Sequence, residues 1–136
     1  MKILAERIIE VLVADATLVA LLGSSDNIAV ESAPSRKAKA VFVSSDPGLD
    51  GNNIPTDSGT LVVTAVVSRA VDGAGSVCMN IADRVDALLN KTENVISDND
   101  WDILHMIRKG GSGLEVDDTA NEYWFQLDYE YILTNS

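Results

Sequence analysis

The chain has 136 residues, 46% of them hydrophobic, and 21 Asp and Glu against 10 Lys and Arg give a formal net charge of -11. That apolar content excludes an acidic disordered tail, and the length suits one domain spanning residues 1–136. The scarce, scattered cations exclude a general nucleic-acid binder. No apolar run is long enough to cross a membrane without an interrupting charge, so no membrane partner is expected. Glu6, Arg7 and Glu10 break the signal-like start M-K-I-L-A-E-R-I-I-E, and no export signal is read there.

From Ile3 to Val13 the apolar residues Ile3, Leu4, Ile8, Val11 and Leu12 fall at helical spacing, which predicts a first amphipathic helix. Asp15 is placed to cap a second short helix, A-T-L-V-A-L-L, and Gly23 to end it. A short extended piece is expected around Ile28 and Val30. Lys37 to Ser44, K-A-K-A-V-F-V-S, has the β-branched and aromatic content of a strand, with its lysines at an exposed end or edge.

The stretch S-D-P-G-L-D-G-N-N-I-P-T-D-S-G follows, too rich in Pro and Gly to be a regular strand. Loops of that length in compact domains are often functional, so it is read as a solvent-exposed hairpin tip or a partner-docking loop. Thr60 to Arg69, T-L-V-V-T-A-V-V-S-R, is apolar on both faces, the pattern of a strand inside a sheet.

After Gly73 and Gly75, with Ser76 expected as the cap, a helix is predicted in S-V-C-M-N-I-A-D-R-V-D-A-L-L-N-K-T. Val77, Cys78, Ile81, Val85, Leu88 and Leu89 form its apolar face. Asn80, Asp83, Arg84 and Asp86 are expected mostly opposite. In W-D-I-L-H-M-I-R-K, Trp101, Ile103, His105 and Ile107 are placed on one strand face and Leu104 and Met106 on the other, and G-G-S-G is read as the reversal after Lys109. The closing run alternates strongly, with Tyr123, Phe125, Leu127, Tyr129, Tyr131 and Leu133 on one face and Glu122, Gln126, Asp128 and Glu130 opposite. The order of elements predicts an α+β fold, a mostly antiparallel sheet with helices packed on one side and a long loop or hairpin arm between two strands.

Reaction chemistry has no signature here. G-x-G-x-x-G, P-loop and H-E-x-x-H patterns are absent from the sequence. One histidine, His105, and one cysteine, Cys78, cannot form a histidine cluster or a Cys-rich zinc site, and a packed thiol is the reading of Cys78. Asp98, Asp100 and Asp102 imitate the opening of a calcium loop, but Ile103 stands where its glycine should be. Neither a cofactor nor a metal is expected. The N-K-T at Asn90 is read as an accidental glycosylation match.

The order and spacing of A-D-A-T-L-V-A-L-L-G, T-L-V-V-T-A-V-V-S-R, I-A-D-R-V-D-A-L-L-N and Y-W-F-Q-L-D-Y-E-Y resemble the tail terminator or tail completion proteins of long-tailed bacteriophages. The resemblance covers most of the chain. It implies a homo-hexameric ring on the completed tail tube that stops tube polymerisation and joins the tail to a head connector or head completion protein. Such a ring works by association without catalysis, and DNA passes through without specific binding. The implied location is the head-proximal end of the virion tail, with the host cytoplasm as the place of assembly. The alternatives are another head-tail connector or neck ring component, and a small acidic enzyme of unfamiliar type.

The loop is longer and richer in glycine than the simplest family pattern, so its role is read from its own length. Asp46, Leu49, Asp50, Asn52, Asn53, Ile54 and Asp57 are its candidate interface residues. Tyr123, Phe125, Tyr129 and Tyr131 are candidates for either the core or an interface.

Overall fold

The computed structural model describes the backbone of residues 4–30, 38–46, 58–90, 97–98 and 101–135, and the side chains of 6–29, 38–44, 59–90 and 106–132. The fold is α+β. Helix α1 (Leu4–Val13) buries Ile8 and Leu12, one turn apart, completely. Helix α2 (Ala16–Leu22) starts where Asp15 accepts a hydrogen bond from the Leu18 N–H at 2.8 Å. It stops at Gly23, whose φ of 89° lets its N–H reach the Val19 carbonyl at 2.8 Å. Both predicted signals operate. A 3-10 turn (Ser25–Asn27) then leads into the sheet, and Asn27 Nδ2 donates to the Leu22 carbonyl left over at the end of α2.

The sheet contains β1 (Ile28–Val30), β2 (Lys39–Asp46), β3 (Ser58–Ser68), β4 (Ser97–Asp98), β5 (Trp101–Asp117) and β6 (Glu122–Asn135), in the order β1-β2-β3-β6-β5-β4. Only β1 runs parallel to its neighbour, β2. Strand β3 is central, as its two apolar faces require, with Leu61, Val63, Ala65 and Val67 buried on the helix side. Helix α3 (Ala74–Leu89) lies over β3, β6 and β5 and contributes Cys78, Ile81, Val85 and Leu89 to the same core. Strands β2 and β3 border the long loop through Asp46 opposite Thr60.

Several local expectations are corrected. Helix α3 starts at Gly73, in the left-handed region at φ 65°, and Ser76 lies exposed inside the helix rather than at its cap. The G-G-S-G run is not a reversal: β5 continues through it, and the chain turns after Asp117. There Asp117 Oδ1 accepts from the Thr119 and Ala120 N–H groups, and Asn121 takes φ 58°.

Strand β5 spends 17 residues against the 14 of β6, the difference being three register shifts, at Ile103/His105, Arg108/Gly110 and Gly111/Gly113. Each shift changes the parity of the strand. Trp101 and Ile103 therefore oppose Asn135 and Leu133, whereas His105 and Ile107 oppose Ile132 and Glu130, so the four do not share one register phase.

Candidate interaction surface

Leu114 and Val116 of β5 carry 39% and 49% exposure, unusual for apolar side chains on a sheet. Their position follows from the glycines before them. Gly111 takes φ 135°, and a Cβ there would stand 2.0 Å from the Gln126 carbonyl oxygen, so the backbones approach only because the side chain is absent. Ser112, left over by the bulge, turns its hydroxyl back to accept the Gln126 N–H at 3.2 Å. Beyond this repair the pairing is regular: Leu114 opposite Phe125, Glu115 opposite Trp124, Val116 opposite Tyr123 and Asp117 opposite Glu122. Among the described residues, no strand pairs with the outer side of β5 beyond Asp102.

The helix face of this hairpin is fastened to α3. Gly75 sits beneath Leu114 and Tyr123, where an added Cβ would be in ordinary contact at 3.7 and 3.8 Å. One turn further along, Met79 is 44% exposed. Near the end of α3, Asp86 accepts the Tyr129 hydroxyl at 2.8 Å and stands 3.9 Å from Arg108 Nη1. Asn90 Oδ1 accepts the Arg108 backbone N–H at 2.9 Å, and the Arg108 guanidinium lies 5.7 Å from the Phe125 ring centre. Burial, reinforced by the bond to Asp86, pushes the Tyr129 hydroxyl far above the ordinary phenol range, so it remains a donor.

The opposite sheet face carries Asp128 and Glu130 on β6 and Glu115 on β5, beside Thr60, Thr64 and Gln126. Gln126 Nε2 donates to Asp128 Oδ1 at 3.0 Å, and Lys109 Nζ lies 3.6 Å from Glu130. A cross-strand row of Ala40, Val66 and Trp124 forms a small apolar cluster here, joined by Phe42 and Ala29. The Trp124 indole N–H donates to Glu122, which is 6% exposed. The face thus combines an apolar patch near one end with carboxylates along β6.

Among the described residues, no group of three or more His, Cys, Asp or Glu is placed to hold a metal ion. The buried Cys78 thiol is pushed up to about 11 by burial and points at the carbonyls of Ala65 and Tyr123, at 3.6 and 3.8 Å. It is protonated at neutral pH, the wrong state for a nucleophile.

No family model matches the chain, and no curated protein sequence matches it. A solved structure does: a chain from the "virion of native gene transfer agent (GTA) particle", with a TM-score of 0.70 and 15% identity over 98% of this chain and 95% of that one. The two chains share a fold. At that identity the likeness is one of architecture, spread over nearly all of both chains.

Of the candidate interface residues, Asp46 closes β2, with its backbone opposite Thr60. Leu49, Asp50, Asn52, Asn53, Ile54 and Asp57 lie outside the described residues, as does the His105 side chain. Tyr129 and Tyr131 lie in the core at 0% and 1% exposure, and Tyr123 and Phe125 pack against it half-buried. Two groups expected on the exposed side of α3, Arg84 and Asp86, are half-buried and bonded across elements. Periodicity ranks such residues as polar and therefore outward. It has no means of registering a partner on another element.

Proposed function

We propose that this chain is a structural virion protein that forms a ring on the completed phage tail tube, stops tube polymerisation and presents the surface that joins the tail to the head. The observation that carries this reading is the shared fold with a virion particle chain over nearly the full length of both molecules. The sequence resemblance to tail terminators supplies the finer role. The architecture suits it: helices cover one sheet face, and the other face and the β5 edge are left to meet neighbours.

In such a ring the helix layer lies outside and the opposite sheet face lines the passage. Asp128, Glu130 and Glu115 would then face the DNA backbone and keep it from adhering. The residues around Asp46–Ser58, the loop between β2 and β3 with the strand ends that border it, are assigned to the contact with a ring neighbour, the tail tube protein or the head connector.

Electron microscopy of the protein mixed separately with growing tail tubes and with DNA-filled heads tests the role. Rings at tube ends with arrested elongation are expected. Attachment to heads alone would reassign the protein to the neck. Removing the tip of the loop while keeping both strands should abolish ring formation or tail joining, and unchanged behaviour in both would remove the loop from the interface.

A further inference from the structure

Strand β6 is held unequally by its two neighbours. Strand β3 pairs with it from Ser58 to Ser68 without a shift, whereas β5 breaks register at Arg108/Gly110 and again at Gly111/Gly113. These shifts divide β5. Before them Met106 is fully buried, Asn90 accepts the Arg108 N–H at 2.9 Å and Asp86 stands 3.9 Å from the Arg108 guanidinium, so that half is bound to α3. After them Leu114 and Val116 are exposed, and among the described residues no strand lies on the outer side. Leu114 lies over Gly75 of α3, which has no side chain to hold it.

We infer that β5 from Leu114 to Asp118 is a strap that opens locally while α3, β3 and β6 stay folded, hinged at Gly110–Gly113 and latched by Arg69. The strap is a property of the fold and stands apart from the role in a ring. A segment with little buried apolar surface and bonds on one side opens at a small fraction of the cost of global unfolding. The hinge is built for a change of direction. Gly111 and Gly113 take φ 135° and 73°, and nothing stands within 4 Å of the Cβ positions of Gly110 and Gly113.

The latch is an ion pair at the far end. Arg69 Nη1 lies 3.1 Å from Asp118 Oδ1, with side-chain exposures of 40% and 89%, so the pair is weak and screened by salt. The Arg69 N–H also donates to the Asn121 carbonyl at 3.0 Å, which keeps the β6 side of the turn on β3 when the strap lifts. Asp117 Oδ1 binds the Thr119 and Ala120 N–H groups, so the turn itself is a compact unit.

Strand β6 records the opening one amide at a time. The Gln126 N–H turns to Ser112 on β5 and the Asn121 carbonyl to Arg69 beyond β3. Even-numbered N–H groups of β6 therefore face β5 and odd-numbered ones face β3. Lifting the strap bares Glu122 and Trp124, opposite Asp117 and Glu115, and leaves the bonds of Tyr123 and Phe125 to β3 intact.

Amide hydrogen exchange followed by NMR on the full chain tests the strap. With intrinsic rates divided out, Glu122 and Trp124 should exchange about tenfold faster than Tyr123 and Phe125, and urea below the unfolding transition should accelerate the second pair only. The Glu130 N–H, opposite Ile107 in the anchored half of β5, should follow Phe125. Arg69→Gln should speed Glu122 and Trp124 about threefold with Phe125 and Glu130 unchanged, and high salt should do the same to the wild type.

Equal protection of Trp124 and Phe125, or one urea dependence for both, would mean that β5 leaves only with the whole sheet, and would overturn the inference. Glu130 exchanging as fast as Trp124 would also overturn it, because the opening would then run along all of β5. An unchanged rate at Trp124 in Arg69→Gln would remove the latch and count against the strap. Should that variant not fold, the comparison of alternate amides in the wild type decides alone.

Discussion

Arg84 of α3 grips Asp15 at the start of α2 through two hydrogen bonds, Nε to Oδ2 at 2.9 Å and Nη2 to Oδ1 at 2.6 Å, across 69 residues of sequence. The same carboxylate caps α2 through Leu18, so one side chain both starts a helix and fastens it to another. The Arg84 hydrogen bonds hold the Asp15 carboxyl below its ordinary 3.8 against the opposing effect of burial. A carboxyl with a lowered folded value contributes its stability fully above its unfolded value. That contribution disappears as pH falls through the folded value. Asp15→Ala should therefore cost about 1–3 kcal/mol at pH 7, from the lost cap and the half-buried guanidinium left without its partner. Urea titrations of both proteins should show the difference shrinking as pH falls below 3.8. An equal difference at pH 7 and pH 2 would refute the linkage.

Tyr129 is buried, and its hydroxyl reaches Asp86 at 2.8 Å. Tyr129→Phe keeps the ring and deletes that bond, so a loss of about 1–2 kcal/mol is expected, because Asp86 is hydrogen-bonded as a charged acceptor. Chemical denaturation measures it. A neutral substitution would mean that water replaces the hydroxyl at no cost.

Gly111 of β5 leaves no room for a side chain. With φ at 135° and the Gln126 oxygen 2.0 Å from an added Cβ, Gly111→Ala must separate the two strands or abandon the bulge. A loss of about 2–4 kcal/mol is expected, combining overpacking with backbone strain. Gly110 is a control on the same strand: nothing stands within 4 Å of its Cβ position, and Gly110→Ala should cost markedly less. Amide exchange at Gln126 should rise in the first variant, and comparable stability of the two variants would disprove the close approach.

Cys78 should be silent toward thiol reagents in the folded protein. Its side chain is fully buried and its thiol is pushed up to about 11, so at pH 8 both access and ionisation oppose reaction. Labelling by an aromatic disulfide should follow the unfolding rate. Rapid stoichiometric labelling without denaturant would contradict the packing of α3 on the sheet.

The sequence by itself determined the elements whose cause is local. Asp15 and Gly23 mark the ends of α2, the two-sided apolar run of β3 places it centrally, and the strong alternation of β6 puts Leu127, Tyr129 and Tyr131 on one face, which the structure shows to be the core side. These are effects of a few neighbouring residues, and periodicity records them. Only the tertiary structure decided that G-G-S-G is a bulge rather than a turn, because a glycine run serves either purpose and the choice depends on the Gln126 carbonyl on the adjoining strand. The same holds for Arg84 and Asp86, whose partners lie on other elements. A pattern along the chain carries side-chain direction, while contact between distant residues is set by strand order and register, which no short stretch encodes.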